Sequence, residues 1–338
     1  MQTWQRVRDA VTGRWFIKTA FFLYFVFACV QLMRFAAWTR GRGPYVPRPE
    51  VVAGMLPVGH FTSFFAWVRG GGWDTLLPAG LVIILGALAV SVLFKRGFCG
   101  FICPVGTVWE GFSALGRKLL KGRQIRVPKW LDITGRVFRY VLAAATVAIL
   151  LFVVSLPEAV DFRSLPYMWV ADIKILTVML QPTYLAVVLF AGALSMLFGP
   201  VWCRYLCPVG GMYSAVSEFS PCKVRREDAN CIHCHRCTKV CHAFIDVESD
   251  TIVRDTECDG CMDCVKICPA ENCLEAKAPG GVTIAPWVWP LLVVGLWLAI
   301  FGVAKMTGNW DTRVTPDQMR AAVQSGVIDR ASMPQSPQ

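Results

Sequence analysis

Five long apolar stretches separate the more polar parts of the chain. They cover about residues 15–37, 77–94, 137–156, 183–202 and 286–304. Each is close to the roughly 20 helical residues needed to cross a hydrocarbon layer. The pattern therefore predicts an all-α polytopic membrane protein with about five transmembrane helices. A sixth stretch, residues 165–180, contains Asp172 and Lys174, and these charges favour an interfacial or re-entrant segment.

Basic residues in the short loops predict the orientation of these helices. The loop at residues 95–136 contains nine Lys or Arg residues, whereas residues 157–182 contain two. Since basic loops stay on the cytoplasmic side, we expect residues 1–14 and 95–136 there. With five spans, residues 203–285 are also cytoplasmic and the tail at 305–338 is outside. The nine basic residues are Lys95, Arg96, Arg117, Lys118, Lys121, Arg123, Arg126, Lys129 and Arg136.

The tail contains the signal for one more helix. Thr315 followed by Pro316 is a typical N-cap and first helical residue, which predicts a short helix through about Val327. The tail is then either a solvated end or a docking helix for an extracytoplasmic partner.

Two of the apolar stretches end in the same motif. Residues Cys99 to Gly106 form C-x3-C-P-V-G, and Cys203 to Gly210 repeat it 104 residues later. In this interpretation the first four spans, at residues 15–202, are two parallel hairpin repeats. Repeats of this kind place functional sites at their interface.

Composition agrees with a membrane protein and points to metal chemistry. Of the 338 residues, 55% are hydrophobic and 17% are charged, and the formal net charge is +11. Basic loops beside apolar spans fit contact with anionic membrane lipid, so the positive charge does not indicate nucleic-acid binding. The 15 cysteines are too many for core packing, and their short spacing is typical of metal ligation rather than of disulfide bonds.

The segment at residues 203–285 contains a bacterial ferredoxin pattern. The pattern is C-x2-C-x2-C-x3-C, present twice. In such ferredoxins three cysteines of each run bind one [4Fe-4S] cluster, and the fourth cysteine binds the other cluster. We therefore predict an inserted α+β module that holds two [4Fe-4S] clusters. The expected ligands are Cys231, Cys234, Cys237 and Cys268 for the first cluster, and Cys258, Cys261, Cys264 and Cys241 for the second.

Other interpretations of these cysteines are weaker. Zinc sites or inert thiols do not explain a fourth cysteine at a set distance in both runs. Residues Cys231 to His235 also match the C-x-x-C-H pattern of covalent haem, but haem would take two thiolates from a complete cluster set. His235 is then an exposed loop residue, and His242 stands where the second run has Pro269. The remaining cysteines, expected to be inert thiols, are Cys29, Cys222 and Cys273.

The two C-x3-C-P motifs contain four further cysteines. The cysteines of one motif are four residues apart, so on a helix both sulfurs face one way, and the following Pro ends or kinks the helix. If the second and fourth spans are neighbours, four thiolates converge and can hold a third [4Fe-4S] cluster, between a membrane quinone and the cytoplasmic pair. Separate thiol pairs, disulfides or a copper site are the alternatives. The four cysteines are Cys99, Cys103, Cys203 and Cys207.

The loop at residues 38–76 is rich in aromatic residues near the predicted outer face. It is either an aromatic belt at the membrane interface or a stacking surface for a quinone ring, which includes Trp67. In the second case His60 is the proton acceptor, because quinol oxidation releases protons as electrons leave. Asp172 and Lys174, on the same predicted side, either pair with each other or take part in this proton relay.

With these motifs, the chain resembles the NapH, NosR and CcoG group of membrane-bound polyferredoxins. The resemblance covers about residues 15–305. Nitrous-oxide reductase regulators of this group have a large flavin-binding region before the first span, and oxidase-assembly copper reductases have a C-terminal β domain. This chain has about 14 residues before its first span and 34 after Ala304. It is therefore most similar to the NapH type, a quinol dehydrogenase membrane subunit, although the fifth span at 286–304 does not match that type.

The resemblance implies a multi-pass protein of the bacterial inner membrane with a periplasmic tail. It would be a subunit of a quinol-linked oxidoreductase complex, passing electrons between the quinone pool and a partner redox subunit, a cytochrome or an iron–sulfur protein. The alternative is an assembly or regulatory factor that supplies electrons for metal or disulfide reduction during maturation of another respiratory enzyme. Such a factor is expected to present thiolate or Met pairs outside, whereas the C-x3-C pairs are predicted at the inner face.

Overall fold

The computed structural model describes residues 2–121, 124–125 and 127–327. Arg123 and Arg126 of the predicted cytoplasmic loop lie outside the described residues, as does the end of the predicted tail at 328–338. The chain divides into two compact units. Unit 1 consists of Met1–Leu23, Gly86–Thr146 and Val187–Ala299, and unit 2 consists of Tyr24–Leu85, Val147–Ala186 and Ile300–Gln338.

Most of the described chain is α-helical, as the apolar pattern predicts. Several of the helices begin at a Pro, whose fixed φ suits the first helical turn and whose missing N–H has no helical partner there. The α-helices are α1 (Gln2–Thr39), α2 (Pro57–Val68), α3 (Pro78–Leu93), α4 (Pro104–Leu119), α5 (Lys129–Ala148), α6 (Leu156–Ser164), α7 (Pro166–Met179), α8 (Pro182–Phe198), α9 (Pro208–Ser217), α10 (Arg236–Val240), α11 (Asp263–Ile267), α12 (Val288–Met306) and α13 (Pro316–Gln324).

Short helical segments of other types connect these elements. Turns of 3₁₀ helix are found at Glu50–Met55, Asp228–Asn230 and Pro279–Gly281, and π-helical turns at Phe98–Ile102, Ile149–Val153 and Trp202–Leu206.

A small antiparallel sheet lies in unit 1. Its strands are β1 (Lys223–Arg226), β2 (Leu274–Lys277) and β3 (Thr283–Ile284), in the order β1-β2-β3. Ala276 of β2 pairs with Val224 on one side and with Ile284 on the other. Leu274 and Ala276 are buried, whereas Glu275 and Lys277 are less so, which is the alternation expected of a sheet with one covered face.

One hydrophobic core runs through unit 1. It contains Val90 of α3, Phe101, Met262 and Trp289 of α12, all nearly or fully buried. Met262 belongs to the second ferredoxin run, whereas Val90 and Trp289 belong to predicted membrane helices. The ferredoxin segment is therefore packed onto the ends of those helices.

Unit 2 is built around helices α7 and α13. Ile173 of α7 and Met319 of α13 share a buried cluster with Leu32 and Phe35 of α1. The hydroxyl oxygen of Thr315 accepts the N–H of Gln318 at 3.3 Å and caps α13. The predicted tail helix is thus confirmed, although it ends at Gln324 rather than near Val327, and it packs against its own chain.

Three helical segments are long and apolar enough to cross a membrane: Gly13–Thr39, Lys129–Val153 and Val288–Met306. Helices α7 and α8 pass the same test as a pair bent by 70°, either a broken span or a re-entrant loop. Helix α3 is apolar but has only 16 residues. The described residues therefore contain three candidate spans, or four if the bent pair is one span, and a count of five stays a prediction.

A further observation supports membrane insertion. Large apolar side chains are left exposed along the candidate spans, such as Phe152 (85%) and Phe190 (67%), and lipid rather than water would cover them.

Candidate iron–sulfur sites

Four cysteines of the ferredoxin segment line one cavity of unit 1, together with Cys273. The loop that leads into α10 has positive φ at His233 (51°) and His235 (55°), and these turns bring the first three cysteines of the run together. His235 is exposed, as predicted, and pairs with Glu248. The four cysteines are Cys231, Cys234, Cys237 and Cys268. We refer to them as the first-run set.

Four other cysteines line a second cavity: Cys241, Cys258, Cys261 and Cys264. We refer to them as the second-run set. The exchange of fourth cysteines follows from local structure, because α10 is followed by Cys241 and α11 by Cys268. Each five-residue helix carries the last cysteine of its run away from its own loop. The grouping matches the predicted crossed ligand sets and supports them.

The chemistry of these thiols suits an iron–sulfur cluster. All fifteen cysteines are free thiols. Burial raises the pKa of Cys241 to about 12 and also raises the pKa of Cys258. A buried thiolate needs a positive partner, and iron is such a partner because coordinating thiols are deprotonated. Four thiol donors around one cavity fit a [4Fe-4S] cluster.

The two C-x3-C-P motifs form matching π-helical turns. The N–H of Cys103 donates to the C=O of Phe98, and the N–H of Cys207 to the C=O of Trp202, both at 2.9 Å. Pro104 explains this geometry, because a residue before Pro is pushed out of the α region, and Cys103 has ψ 119°. The sequence analysis expected both cysteines of a motif on one helix with Pro at its end. Instead, the Pro begins the next helix, α4 or α9.

The second cysteine of each motif also caps the helix that follows. The sulfur of Cys103 accepts the N–H of Gly106 at 3.4 Å, and that of Cys207 accepts the N–H of Gly210 at 3.2 Å. Both sulfurs are therefore held in place by the backbone, on the side of the motif where the next helix starts.

The four thiols of the two motifs, which we call the membrane-edge set, lie within electrostatic range of one another. Burial raises the pKa of Cys99 to about 12, and Cys103 and Cys207 raise it as well. Burial also raises the pKa of Cys203 well above its usual value, with contributions from the other three thiols. The four cysteines thus lie near enough to influence one another electrostatically, and their binding of one cluster stays a prediction.

Two buried arginines, Arg96 and Arg139, lie near the membrane-edge set. The guanidinium of Arg139, which is fully buried, donates to the C=O of Cys203 at 2.8 Å. Both Arg139 and Arg96 pair with the buried carboxylate of Glu257. Arg96 lowers the pKa values of Cys99 and Cys203, opposing the effect of burial. These positive charges would stabilise the negative charge of a cluster bound by four thiolates.

Several of these charged residues were missed by the sequence analysis. It counted Arg96 only as a topology signal and gave no role to Arg139 or Glu257. It described His242 as a replacement for Pro, whereas the buried ring of His242 makes a 2.9 Å hydrogen bond with Asp259. The available signal was a charged residue inside or beside an apolar stretch, such as Arg139 within 137–156.

The residues of the predicted quinone site lie in unit 2. His60 is 2% exposed, and its ring lies against α3, where a Cβ on Gly80 would be 2.0 Å from the ring. Burial lowers the pKa of His60 to about 4. Trp67 packs edge-on against Trp73, with ring centroids 5.8 Å apart. Both aromatic residues belong to a packed cluster rather than to a free loop.

Asp172 is fully buried and pairs with Arg48, whose Nε donates to its carboxylate at 2.9 Å. Arg48 also pairs with Glu50 at 3.0 Å. The suggested pairing of Asp172 with Lys174 is therefore replaced by an ion pair with a residue 124 positions away in sequence. The contacts described for His60, Trp67 and Asp172 do not join the three directly.

A family model described as a 4Fe-4S binding domain matches this chain twice, at residues 76–123 and 180–227. The two matched segments begin 104 residues apart, the interval that separates Cys99 from Cys203. The matched segments thus contain the two C-x3-C-P motifs. A family defined by 4Fe-4S binding therefore includes the membrane-edge cysteines.

Curated relatives match the chain over different lengths. YccM of Escherichia coli, whose name describes it as an electron transport protein, is 31% identical over 335 residues, 95% of this chain and 92% of YccM. NirI of Paracoccus denitrificans is 31% identical over 183 residues, 51% of this chain and 26% of NirI. The ferredoxin-type protein NapH of Haemophilus influenzae is 27% identical over 169 residues, 49% of this chain and 55% of NapH. No solved structure matches the chain.

Proposed function

This chain belongs to the family of membrane-bound polyferredoxins related to NapH, and on that premise we propose that it transfers electrons between the quinone pool and a partner redox protein. The partner would be a cytochrome or iron–sulfur subunit in a hetero-oligomeric complex. The observation that carries this proposal is the separation of the ferredoxin cysteines. Each of the two cavities is lined by one complete predicted ligand set and by no cysteine of the other set.

Three sets of cysteines would hold the redox groups. The first-run and second-run sets would each hold a [4Fe-4S] cluster in the ferredoxin segment, and the membrane-edge set would hold a third. When bound, a [4Fe-4S] cluster supplies one-electron chemistry at a potential that charge, hydrogen bonds and solvent exposure adjust. The double match of the 4Fe-4S family model to the C-x3-C-P segments favours the third cluster over copper or a disulfide.

Quinol would bind in unit 2, at His60, Trp67 and Asp172. The low pKa of His60 leaves its imidazole neutral at pH 7, so it can accept a proton from quinol. Arg48 adds a donor, because its Nη2 is buried and has no hydrogen-bond partner among the described residues. A quinone oxygen would satisfy this donor. Asp172 holds Arg48 in place through their 2.9 Å hydrogen bond.

The proposed location is the bacterial inner membrane, with five spans, a cytoplasmic ferredoxin module and a periplasmic tail. A reporter fused after Gln338 should then be active outside, and one inserted near Lys121 should be active inside, because basic loops resist translocation. Reversal of both signals would contradict the placement.

Quinol oxidation can be tested on the protein purified from membranes with its clusters intact. Menaquinol should reduce the clusters, and His60→Ala should slow this reduction by about 100-fold or more, since it removes the proton acceptor. Reduction by dithionite bypasses the quinol site and should be unchanged in the variant. Clusters that dithionite reduces, but that menaquinol does not reduce and menaquinone does not oxidise, would refute the quinol-linked function.

A further inference from the structure

Within unit 1, the segment that carries Cys99 and Cys103 touches the loop that carries the second-run set. A Cβ on Gly100 would lie 2.8 Å from the C=O oxygen of Asp259, so only a glycine allows this approach. On the same loop, a Cβ on Gly260 would lie 3.2 Å from the C=O oxygen of Phe94. The two segments are therefore in contact backbone against backbone.

A buried guanidinium joins the two sides of this contact. The Nε of Arg14 donates to the C=O of Gly100 at 3.2 Å, and its Nη2 donates to the carboxylate of Asp259 at 3.0 Å. Arg14 also makes a bidentate pair with Glu110 of α4, at 2.7 and 2.8 Å. Its side chain is 2% exposed, so these interactions are shielded from water. One residue thus holds the motif, the helix that follows it and the second-run loop.

Further hydrogen bonds hold the same loop on both flanks of Asp259. The N–H of Arg96 donates to the C=O of Cys258 at 3.4 Å, and Arg96 Nη2 donates to the C=O of Glu257 at 3.1 Å. The carboxylate of Asp259 accepts the N–H of Cys261 at 3.3 Å. The loop is therefore fixed at its backbone, where a shift would move Cys258 and Cys261 directly.

We propose that Gly100, Asp259 and Arg14 are positioning residues that hold the membrane-edge set and the second-run set close enough for electron exchange between their clusters. This inference rests on the proposed function. Each exchange moves one electron, so one cluster is oxidised and the other reduced, and no bond or proton changes. The second-run set is then the neighbour of the membrane-edge set, whereas the first-run set has exposed Ile232 and His235 at its rim.

The test uses the cluster-loaded protein reduced with dithionite and examined by EPR. The relevant signal is the magnetic interaction that disappears in a Cys99→Ser, Cys203→Ser variant, which lacks the membrane-edge cluster. Gly100→Ala should weaken this interaction, because the added Cβ must move Asp259 away, while the iron content stays that of the wild type. Gly111→Ala is the matched control, since a Cβ there meets nothing within 4 Å. Full iron content with an unchanged interaction in Gly100→Ala would overturn the proposal.

Two further measurements decide the matter if Gly100→Ala loses iron. Arg14→Lys keeps the positive charge but removes the guanidinium that hydrogen-bonds to Gly100, Asp259 and Glu110 together. It should therefore also weaken the magnetic interaction. In a protein with wild-type Gly100, Asp259 and Arg14, the same magnetic interaction should survive removal of the first-run cluster by Cys231→Ser, Cys234→Ser. Its loss there would place the membrane-edge set beside the first run and overturn the proposal. Because dithionite replaces quinol, failure of quinol oxidation would leave these results unaffected.

Discussion

The two ferredoxin runs have the same spacing and the same local backbone but opposite surroundings. His235 in the first run and Met262 at the matching position of the second both have positive φ, 55° and 63°. The side chain of His235 is 61% exposed, whereas Met262 is 1% exposed in the core of unit 1. Likewise, Ile232 is 64% exposed and its counterpart Asp259 is 5% exposed. Ligand geometry is thus a local property, whereas burial depends on what packs outside the loop.

The pKa values of the thiols also differ between the exposed first run and the buried second run. The N–H of His233 and the side chain of Arg226 lower the pKa of Cys231. Burial instead raises the pKa of Cys261 well above its usual value. Since cluster potential depends on hydrogen bonds and solvent exposure, the two sets should bind clusters of different potential despite identical spacing. The duplicated pattern therefore provides two chemically distinct sites.

The largest expected effect, the loss of a whole cluster, comes from removing the last cysteine of a run. Cys268→Ala should remove the first-run cluster, about four irons per chain, because Cys268 lines that cavity although it ends the second run. Cys241→Ala is the matched variant and should remove the second-run cluster. EPR would distinguish the two, and loss of the second-run signal alone in Cys268→Ala would contradict the crossed assignment.

The difference in burial predicts that substitutions at matching positions of the two runs lower the free energy of unfolding by different amounts. Met262→Ala should lower the free energy of unfolding by about 2–5 kcal/mol, because it leaves a cavity in the core of unit 1. His235→Ala should change it by about 1 kcal/mol or less, since the side chain is exposed and loses only a surface pairing with Glu248. Denaturant unfolding in detergent, followed by loss of cluster absorbance, measures both. Equal costs would show that Met262 is not part of a packed core.

A smaller effect is expected at the glycine of the second run. Gly260 has φ +68°, and an added Cβ would lie 3.0 Å from the indole nitrogen of Trp289. Gly280 has φ +78° with nothing within 4 Å, so Gly280→Ala should show the conformational cost alone, about 1 kcal/mol. Gly260→Ala should cost more than this control in the same unfolding experiment. If the two costs were equal, contact with Trp289 would contribute nothing.

The sequence predicted those features that depend on spacing or on neighbours in the chain. The mostly helical fold follows from apolar stretches, and helix α13 follows from Thr315 and Pro316. The eight ferredoxin cysteines were grouped from their spacing and from the way bacterial ferredoxins bind their clusters, and the same grouping lines the two cavities.

Features that join distant parts of the chain could not be predicted in this way. Arg14 and Asp259 are 245 residues apart, and Arg48 and Asp172 are 124 apart. Which buried charges meet depends on how helices pack, and one sequence does not give that packing. The π-helical turns were missed for a different reason. The motif was treated as a regular helix, although Pro104 and Pro208 disfavour the α conformation for the cysteine before them, and both cysteines are extended.

The central claim is that the chain holds three clusters, and analysis of iron and acid-labile sulfide in the purified protein tests it most directly. Three [4Fe-4S] clusters require about twelve irons and about twelve sulfides per chain. Cys99→Ser with Cys203→Ser should reduce each count by about four, to the level of the ferredoxin segment alone. A count of about eight irons that is unchanged in this double variant would contradict the account, because the membrane-edge set would then hold no cluster.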